Sequence, residues 1–270
     1  MSFKKLLKFA VNNYFISIFL ACILFVGFIS VFKLFFTKPT YVYARVKVGQ
    51  GLWWASTQQL NIWFVKAIKP GEVERDLLGE PSAEIIDSRY YPWASSTNQY
   101  IVYVTLKLKA SVNKRTKEYS FNRSTIGVGS PIDLEFPTVQ FSGTIVDLSQ
   151  VPFADSYIEK TITLTKKSAY PWEYDAIKIG DSYFDGQDTV FQIIDKQAVD
   201  TASLTHDTFG NFTAQTSVPQ KYITITAKIK VRDENGQLIF GEEQLLTPGK
   251  TLAVTTSNFS SQDYAIGSIK

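Results

Sequence analysis

The feature that most constrains this chain is a sentence it contains twice. "AIKPGEVERDLLGEPSAEIID" runs from Ala67 to Asp87, and "AIKIGDSYFDGQDTVFQIID" runs from Ala176 to Asp195. The match extends in both directions. "YVYARVKV" from Tyr41 resembles "YIEKTITL" from Tyr157, and "YIVYVTLKLKASVNKRTKEYSF" from Tyr100 resembles "YITITAKIKVRDENGQLIF" from Tyr222. "VGSPIDLEFPTVQFSGTIVDL" from Val128 resembles "PGKTLAVTTSNFSSQDYAIGSI" from Pro248. Blocks that recur in one order predict a tandem duplication over residues 41–148 and 157–269.

Each block has the period of a strand. In "YITITAKIKV", Ile223, Ile225, Ala227, Ile229 and Val231 alternate with Tyr222, Thr224, Thr226, Lys228 and Lys230, the pattern of a strand with one buried face. Asn235-Gly236 supplies the positive φ angles of a tight hairpin. Gly71 and Gly180 each follow a strand and precede an acid, Glu72 or Asp181. Glycine reaches backbone angles other residues resist, and the carboxylate is expected to accept backbone N–H groups of the turn. "STQQLNIWFVKAI" reads either as a short helix, with Leu60, Phe64 and Val65 on one face, or as a strand.

The chain before the repeats has another character. Lys4, Lys5 and Lys8 precede "YFISIFLACILFVGFISVF", Tyr14 to Phe32, which carries no charge. At ~1.5 Å per residue this run approaches the ~30 Å of a bilayer core. It is longer than a signal-peptide core, and "KLFFTKPTYVYA" after it lacks a small-residue cleavage site. The expectation is an uncleaved signal anchor in the cytoplasmic membrane, amino terminus inside. The expected fold is mainly β: an N-terminal transmembrane helix, then two tandem, duplicated small β domains, barrel-like or sandwich. The expected boundaries are 1–13 for a basic cytoplasmic tail, 14–36 for the helix, 37–150 for the first repeat and 151–270 for the second.

Charge and chemistry narrow the function. Residues up to Lys38 hold five lysines and no acid, so the rest has 28 − 5 = 23 basic against 25 acidic side chains. That near-neutral remainder has no basic stripe for nucleic acid. The only cysteine, Cys22, lies in the apolar run. The sole histidine, His206, sits in "VDTASLTHDTFGNFTAQTSVP", where a polar surface loop is the stronger reading than an acid–base partner of Asp207. No H-E-x-x-H, C-x-x-C or G-x-S-x-G frame accompanies it. Asp181, Asp185 and Asp188 lack the alternate spacing and distal Glu of a calcium loop, and "GVGSP" at Gly127 does not open a helix. Glu84, Asp87 and Asp195 read as strand-edge and turn groups. No catalytic, cofactor or metal residues are expected.

The aromatics say more. Trp53 and Trp54 read as core. Tyr90, Tyr91 and Trp93 in the first repeat, with Phe209 and Phe212 in the second, fall on expected long loops at 87–99 and 199–219. Flat aromatic faces in loops give large contacts at small entropy cost, so these five are the expected partner-binding residues. The partner would be an envelope protein or a glycan.

Gly71-Glu72 and Gly180-Asp181 resemble the Gly-Asp box of cradle-loop barrels, where that step orders a turn between barrel strands. The wider pattern, Ile68 to Asp87, Ile177 to Asp195 and Tyr103 to Leu148, resembles an uncharacterised family of bacterial envelope proteins, classed as a domain of unknown function. The resemblance implies a single span and a β ectodomain. It implies no activity. The functional expectation is a non-enzymatic assembly or adaptor protein of the envelope, with a wall- or glycan-binding ectodomain as the alternative and a hydrolase third.

Overall fold

The computed structural model describes residues 14–36, 40–49, 60–93, 99–113, 115–206 and 212–270, with side chains outside 30–36 and 202–219. The chain divides into two compact units at Thr40. The first contains helix α1 (Tyr14–Phe36), 23 residues long. Its described large apolar side chains are about half to three-quarters exposed on every side, so the helix has no buried stripe of its own. Side chains are described for its residues 14–29, and among the described residues no helix is long and apolar enough to cross a membrane.

The second unit is mainly β, in two curled sheets shaped as half-barrels. The first sheet comprises β1 (Thr40–Gly49), β2 (Leu60–Asn61), β3 (Val73–Arg75), β4 (Pro81–Pro92), β5 (Gln99–Val112), β6 (Tyr119–Phe121), β7 (Ser124–Ile126), β8 (Pro131–Glu135) and β9 (Gln140–Ser149). The second comprises β10 (Tyr157–Ala169), β11 (Ser182–Phe184), β12 (Thr189–His206), β13 (Phe212–Glu234), β14 (Gln237–Phe240), β15 (Gln244–Leu245) and β16 (Ala265–Ile269). Helix α2 (Ile62–Val65) precedes β3, and helix α3 (Pro171–Ala176) precedes β11. The strand orders are β3-β4-β5-β1-β9-β8 and β11-β12-β13-β10-β16. These match element by element until β8, whose counterpart makes only isolated bridges at Thr251 and Thr255.

One device builds both sheets, and it occurs four times. Gly71 (φ 88°) donates its N–H to the carbonyl of Ile85 at 2.7 Å, and Ile85 N–H returns to Glu72 O at 2.9 Å. Gly180 (φ 89°) and Ile193 repeat this through Asp181. So do Gly129 with Ile145 through Ser130, and Gly249 with Ile266 through Lys250. Past each isoleucine the ladder skips one residue: Ile86, Val146, Ile194 and Gly267. Each is a β-bulge, which bends its strand and raises the local twist. Four equivalent bends give two equivalent curls.

In these Gly–Ile locks, the acids beside Gly71 and Gly180 act differently from expectation. Glu72 accepts the hydroxyl of Thr138, and Asp181 accepts the hydroxyl of Thr256 and the N–H of Asn258. Each carboxylate ties its turn to a distant loop of the same sheet rather than to its own turn, because the turn N–H groups are already spent on backbone carbonyls.

Register corrects two of the aligned blocks. Asp87 faces Thr105 and Asp195 faces Thr226, so Tyr100 corresponds to Lys221 rather than Tyr222. Val46 faces Ile145 and Leu164 faces Ile266, so Tyr41 corresponds to Glu159 rather than Tyr157. A one-residue slip would turn every core side chain outward. With the corrected register, buried Val102, Val104, Leu106, Leu108 and Ala110 correspond to buried Ile223, Ile225, Ala227, Ile229 and Val231.

The expected long loops are also shorter. β4 continues to Pro92 and β5 starts at Gln99. β12 continues to His206, which pairs with Phe212 of β13. His206 therefore sits in a paired strand rather than on a loop; its Thr-rich surroundings suit a twisted, extended hairpin.

Candidate functional site

Each sheet covers its own core, but the second core contains two side chains of the first sheet, Tyr91 and Tyr103. The reason is strand parity. Along β4 and β5 one set of side chains faces the first core, and the alternate set faces out. The outward set includes Arg89, Tyr91, Ile101 and Tyr103, and Arg45 faces out from β1. The loop end of the second sheet lies against that face.

The contact is polar at its centre. The Asp185 side chain is 0 % exposed, and its Oδ2 accepts from Arg89 Nη1 at 2.7 Å and from the Tyr91 hydroxyl at 3.0 Å. Its Oδ1 accepts the N–H groups of Gln187 at 2.9 Å and Asp188 at 2.8 Å, which closes the turn. Its carbonyl accepts the N–H of Tyr90 at 2.8 Å, and the Tyr183 hydroxyl donates to Tyr90 O at 2.8 Å. Gly186 (φ 109°) lets the turn approach: a Cβ there would stand 2.8 Å from Ser88 O and 3.0 Å from the Tyr90 ring.

A second cluster adjoins the first. Arg45, buried on β1, pairs with Asp155 of the linker and with Glu242 at 3.2 Å. Glu242 also accepts from Arg232 at 2.5 Å and from the Tyr157 hydroxyl at 2.7 Å. The Tyr157 ring lies under the Arg89 guanidinium at 4.9 Å, joining the clusters. A cavity of about 230 Å³ opens beside them, lined by Arg45, Tyr103, Asp147, Arg232, Glu242 and Glu243.

The electrostatics follow from burial. Burial works against the Arg89 charge, yet Asp185, Tyr157 and Asp87 together outweigh it and hold the guanidinium protonated well above its ordinary range. Burial drives the Tyr91, Tyr103 and Tyr183 hydroxyls up, so they stay neutral, and Tyr91 and Tyr183 donate across the seam. The hydrogen bond from Lys230 holds Asp188 below the usual carboxylate range. Opposite charges face one another across the seam and are bonded there, and breaking one partner strands the other in a dry setting.

The expected partner-binding residues separate. Tyr91 is 2 % exposed and sealed in the seam. Tyr90 is half-buried, edge-on to Tyr100 and Tyr183 at 5.7 and 6.4 Å. Both sit in β4 rather than a loop, because the outward face of that strand is covered. Trp93, just past β4, is half-buried. Phe212 opens β13, where the backbone alone is described; Phe209 lies outside the described residues, as do Trp53 and Trp54. The exposed tryptophans are others. Trp63 of α2 is 62 % exposed and Trp172 of α3 is 67 % exposed, the latter stacked on Tyr170 at 6.3 Å. Both stand four residues before the Ala-Ile-Lys of their repeat, a signal present in the sequence. The Arg45–Glu242 and Arg89–Asp185 pairs had no local signal.

Among the described residues, no group of three or more His, Cys, Asp or Glu side chains is arranged to hold a metal ion. No family model, curated protein or solved structure matches the chain.

Proposed function

We propose that the chain is a single-pass, membrane-anchored extracytoplasmic protein whose tandemly duplicated β ectodomain is a non-enzymatic assembly or adaptor module of the cell envelope. The observation that carries this reading is the seam. Its buried charges are spent on one another, Asp185 on Arg89 and Glu242 on Arg45 and Arg232, an arrangement that makes two β units one stiff body rather than a reactive cleft. The duplication is supported by the four locks, the matched bulges and the common strand order. The anchor reading rests on the sequence, where the run Tyr14 to Phe32 carries no charge; as a helix at ~1.5 Å per residue it would approach a ~30 Å bilayer core. The lysines before it favour an inside amino terminus.

Crosslinking in intact cells, followed by identification of the captured species, tests the module: repeated capture of the same envelope proteins is expected, and capture of none counts against it. Protease added outside spheroplasts should digest residues 40–270; protection of that region would refute the address. One observation favours a glycan-binding alternative, the exposed Trp63 and Trp172 at matching positions, since flat rings stack on sugar faces. Trp93, Phe209 and Phe212 keep their proposed partner-binding role under either reading. Tyr90 and Tyr91 serve the seam.

A further inference from the structure

The seam joins the loop end of the second sheet to the outward face of the first, and each of those surfaces exists twice. The loop end of the first sheet is built like the docked one. Asp76 Oδ1 accepts the N–H groups of Leu78 at 2.9 Å and Glu80 at 3.0 Å, as Asp185 does in its own turn. Beside it, Asn122 and Arg123 hold positive φ (46° and 69°), as Gly241 and Glu242 do (61° and 69°). The two ends differ in what covers them. Gly241 lies against the Tyr91 ring, and Gly186 against Tyr90. The first end is open: Leu77 and Leu78 are the two most exposed large apolar side chains among the described residues. They border a groove of about 570 Å³ with Glu74, Arg75, Asn122 and Arg123.

The outward face of the second sheet is open in turn. By register, Gln197 stands where Arg89 does, Val199 where Tyr91 does, Tyr222 where Ile101 does and Thr163 where Arg45 does. Val199 is 67 % exposed, whereas Tyr91 is sealed.

We infer that these two open surfaces dock between chains, the Asp76–Glu80 turn of one copy seated on the outward β12–β13 face of the next, as the Asp185 turn is seated on β4–β5 within each chain. The occupant of the groove end is a second copy of this chain. The apolar pair Leu77 and Leu78 meets Val199 and Tyr222. Arg123 replaces Glu242 while Thr163 replaces Arg45, so no like-charge pair arises, and Asp195, on the same face of β12 as Gln197 and Val199, is the acid available to Arg75 and Arg123. Such a contact is heterologous, so it builds a ring where its rotation closes and a file of chains where it does not. The inference rests on the assembly-module reading and specifies its partner.

The test uses the full chain in which Cys22, the only cysteine, is replaced by serine. One preparation carries Leu77→Cys, and the other, with a distinguishing tag, carries Val199→Cys. After mixing and mild oxidation, a covalent 77–199 heterodimer is expected. Exclusive like-with-like dimers through position 77, or no disulfide above that of a Lys117→Cys control, would overturn the inference. In parallel, the Leu77→Asp/Leu78→Asp chain should self-associate at least ~10-fold more weakly in sedimentation with its thermal transition kept, because both side chains are exposed. Unchanged association would also overturn it. If position 77 instead crosslinks in cells to a different envelope protein, the self-docking fails while the adaptor reading stands.

Discussion

Asp76 and Asp185 each accept two backbone N–H groups of their own turn, yet one turn ends beside two exposed leucines and the other has its aspartate side chain fully sealed. The local chemistry is the same, so it cannot be what separates them. The difference lies in what stands opposite. Arg89, Tyr91 and the Tyr90 backbone meet the Asp185 turn, and the Asp76 turn meets no such face among the described residues. A repeated turn thus becomes an internal joint in one place and an open surface in the other.

The largest way to break this comparison is to remove the cation of the joint. Arg89→Ala strands the fully buried Asp185 carboxylate, which should cost about 3–5 kcal/mol in denaturant unfolding. Arg75→Ala at the open turn loses only a bond to Gly79 O at 2.9 Å and should cost below ~1 kcal/mol. Equal costs would mean the seam does not hold the two sheets together.

The glycines of the two turns give the next contrast. At Gly186 an added Cβ would collide with Ser88 O and Tyr90, and φ is 109°; overpacking and strain together predict about 2–4 kcal/mol for Gly186→Ala. Gly79 has φ 80° but nothing within 4 Å of the added atom, so Gly79→Ala should cost only ~1 kcal/mol. Thermal unfolding of the two variants reads the difference directly.

The locks sharpen the comparison from the other side, since there the halves should behave alike. Ile85→Val and Ile193→Val each remove one buried methylene from a fully buried side chain and should each cost about 1 kcal/mol. A large disparity would show that the two halves are unequal in more than their docking.

The smallest expected effect is on pH. Asp188 is held below its ordinary range, first by the Lys230 hydrogen bond and then by the Lys230 and Arg89 charges. Its folded pKa lies below its unfolded one, so its contribution is present above the unfolded carboxylate value of ~4 and is lost as pH falls through the folded value. Its side chain is 39 % exposed, so solvent screens the effect. Glu74 has the opposite sign: burial raises its carboxyl, so its contribution favours the fold at low pH and is lost as pH rises through the raised value. Asp188→Asn should therefore flatten the acid-side fall in Tm between about pH 5 and 3, and Glu74→Gln should steepen the profile above about pH 4.5, where the raised carboxyl titrates. A pair of variants with identical profiles would contradict both assignments.

Much of the scaffold was legible in the chain. Period-two alternation placed β5 and β13, and the Gly-acid steps placed two of the four locks. The other two were written more faintly: Ile145-Val146-Asp147 echoes Ile85-Ile86-Asp87, and Val128-Gly129 and Pro248-Gly249 precede their partners. They escaped because Ser130 and Lys250 follow those glycines instead of an acid, although the backbone bonds that make a lock need only the glycine.

What the sequence determined by itself was local and periodic: which residues form strands, which face of each is apolar, and that the pattern occurs twice. Strand period and turn conformation depend on neighbours a few positions apart, and those are visible in order. What only the tertiary structure decided was the use of the outward faces. Tyr91 and Val199 occupy the same register position in matching strands, and nothing within their own repeats predicts that one is sealed and the other open. The seam pairs Arg89 with Asp185 and Arg45 with Glu242, groups 96 and 197 positions apart, and a carboxylate's need for a partner does not name that partner until folding brings one across.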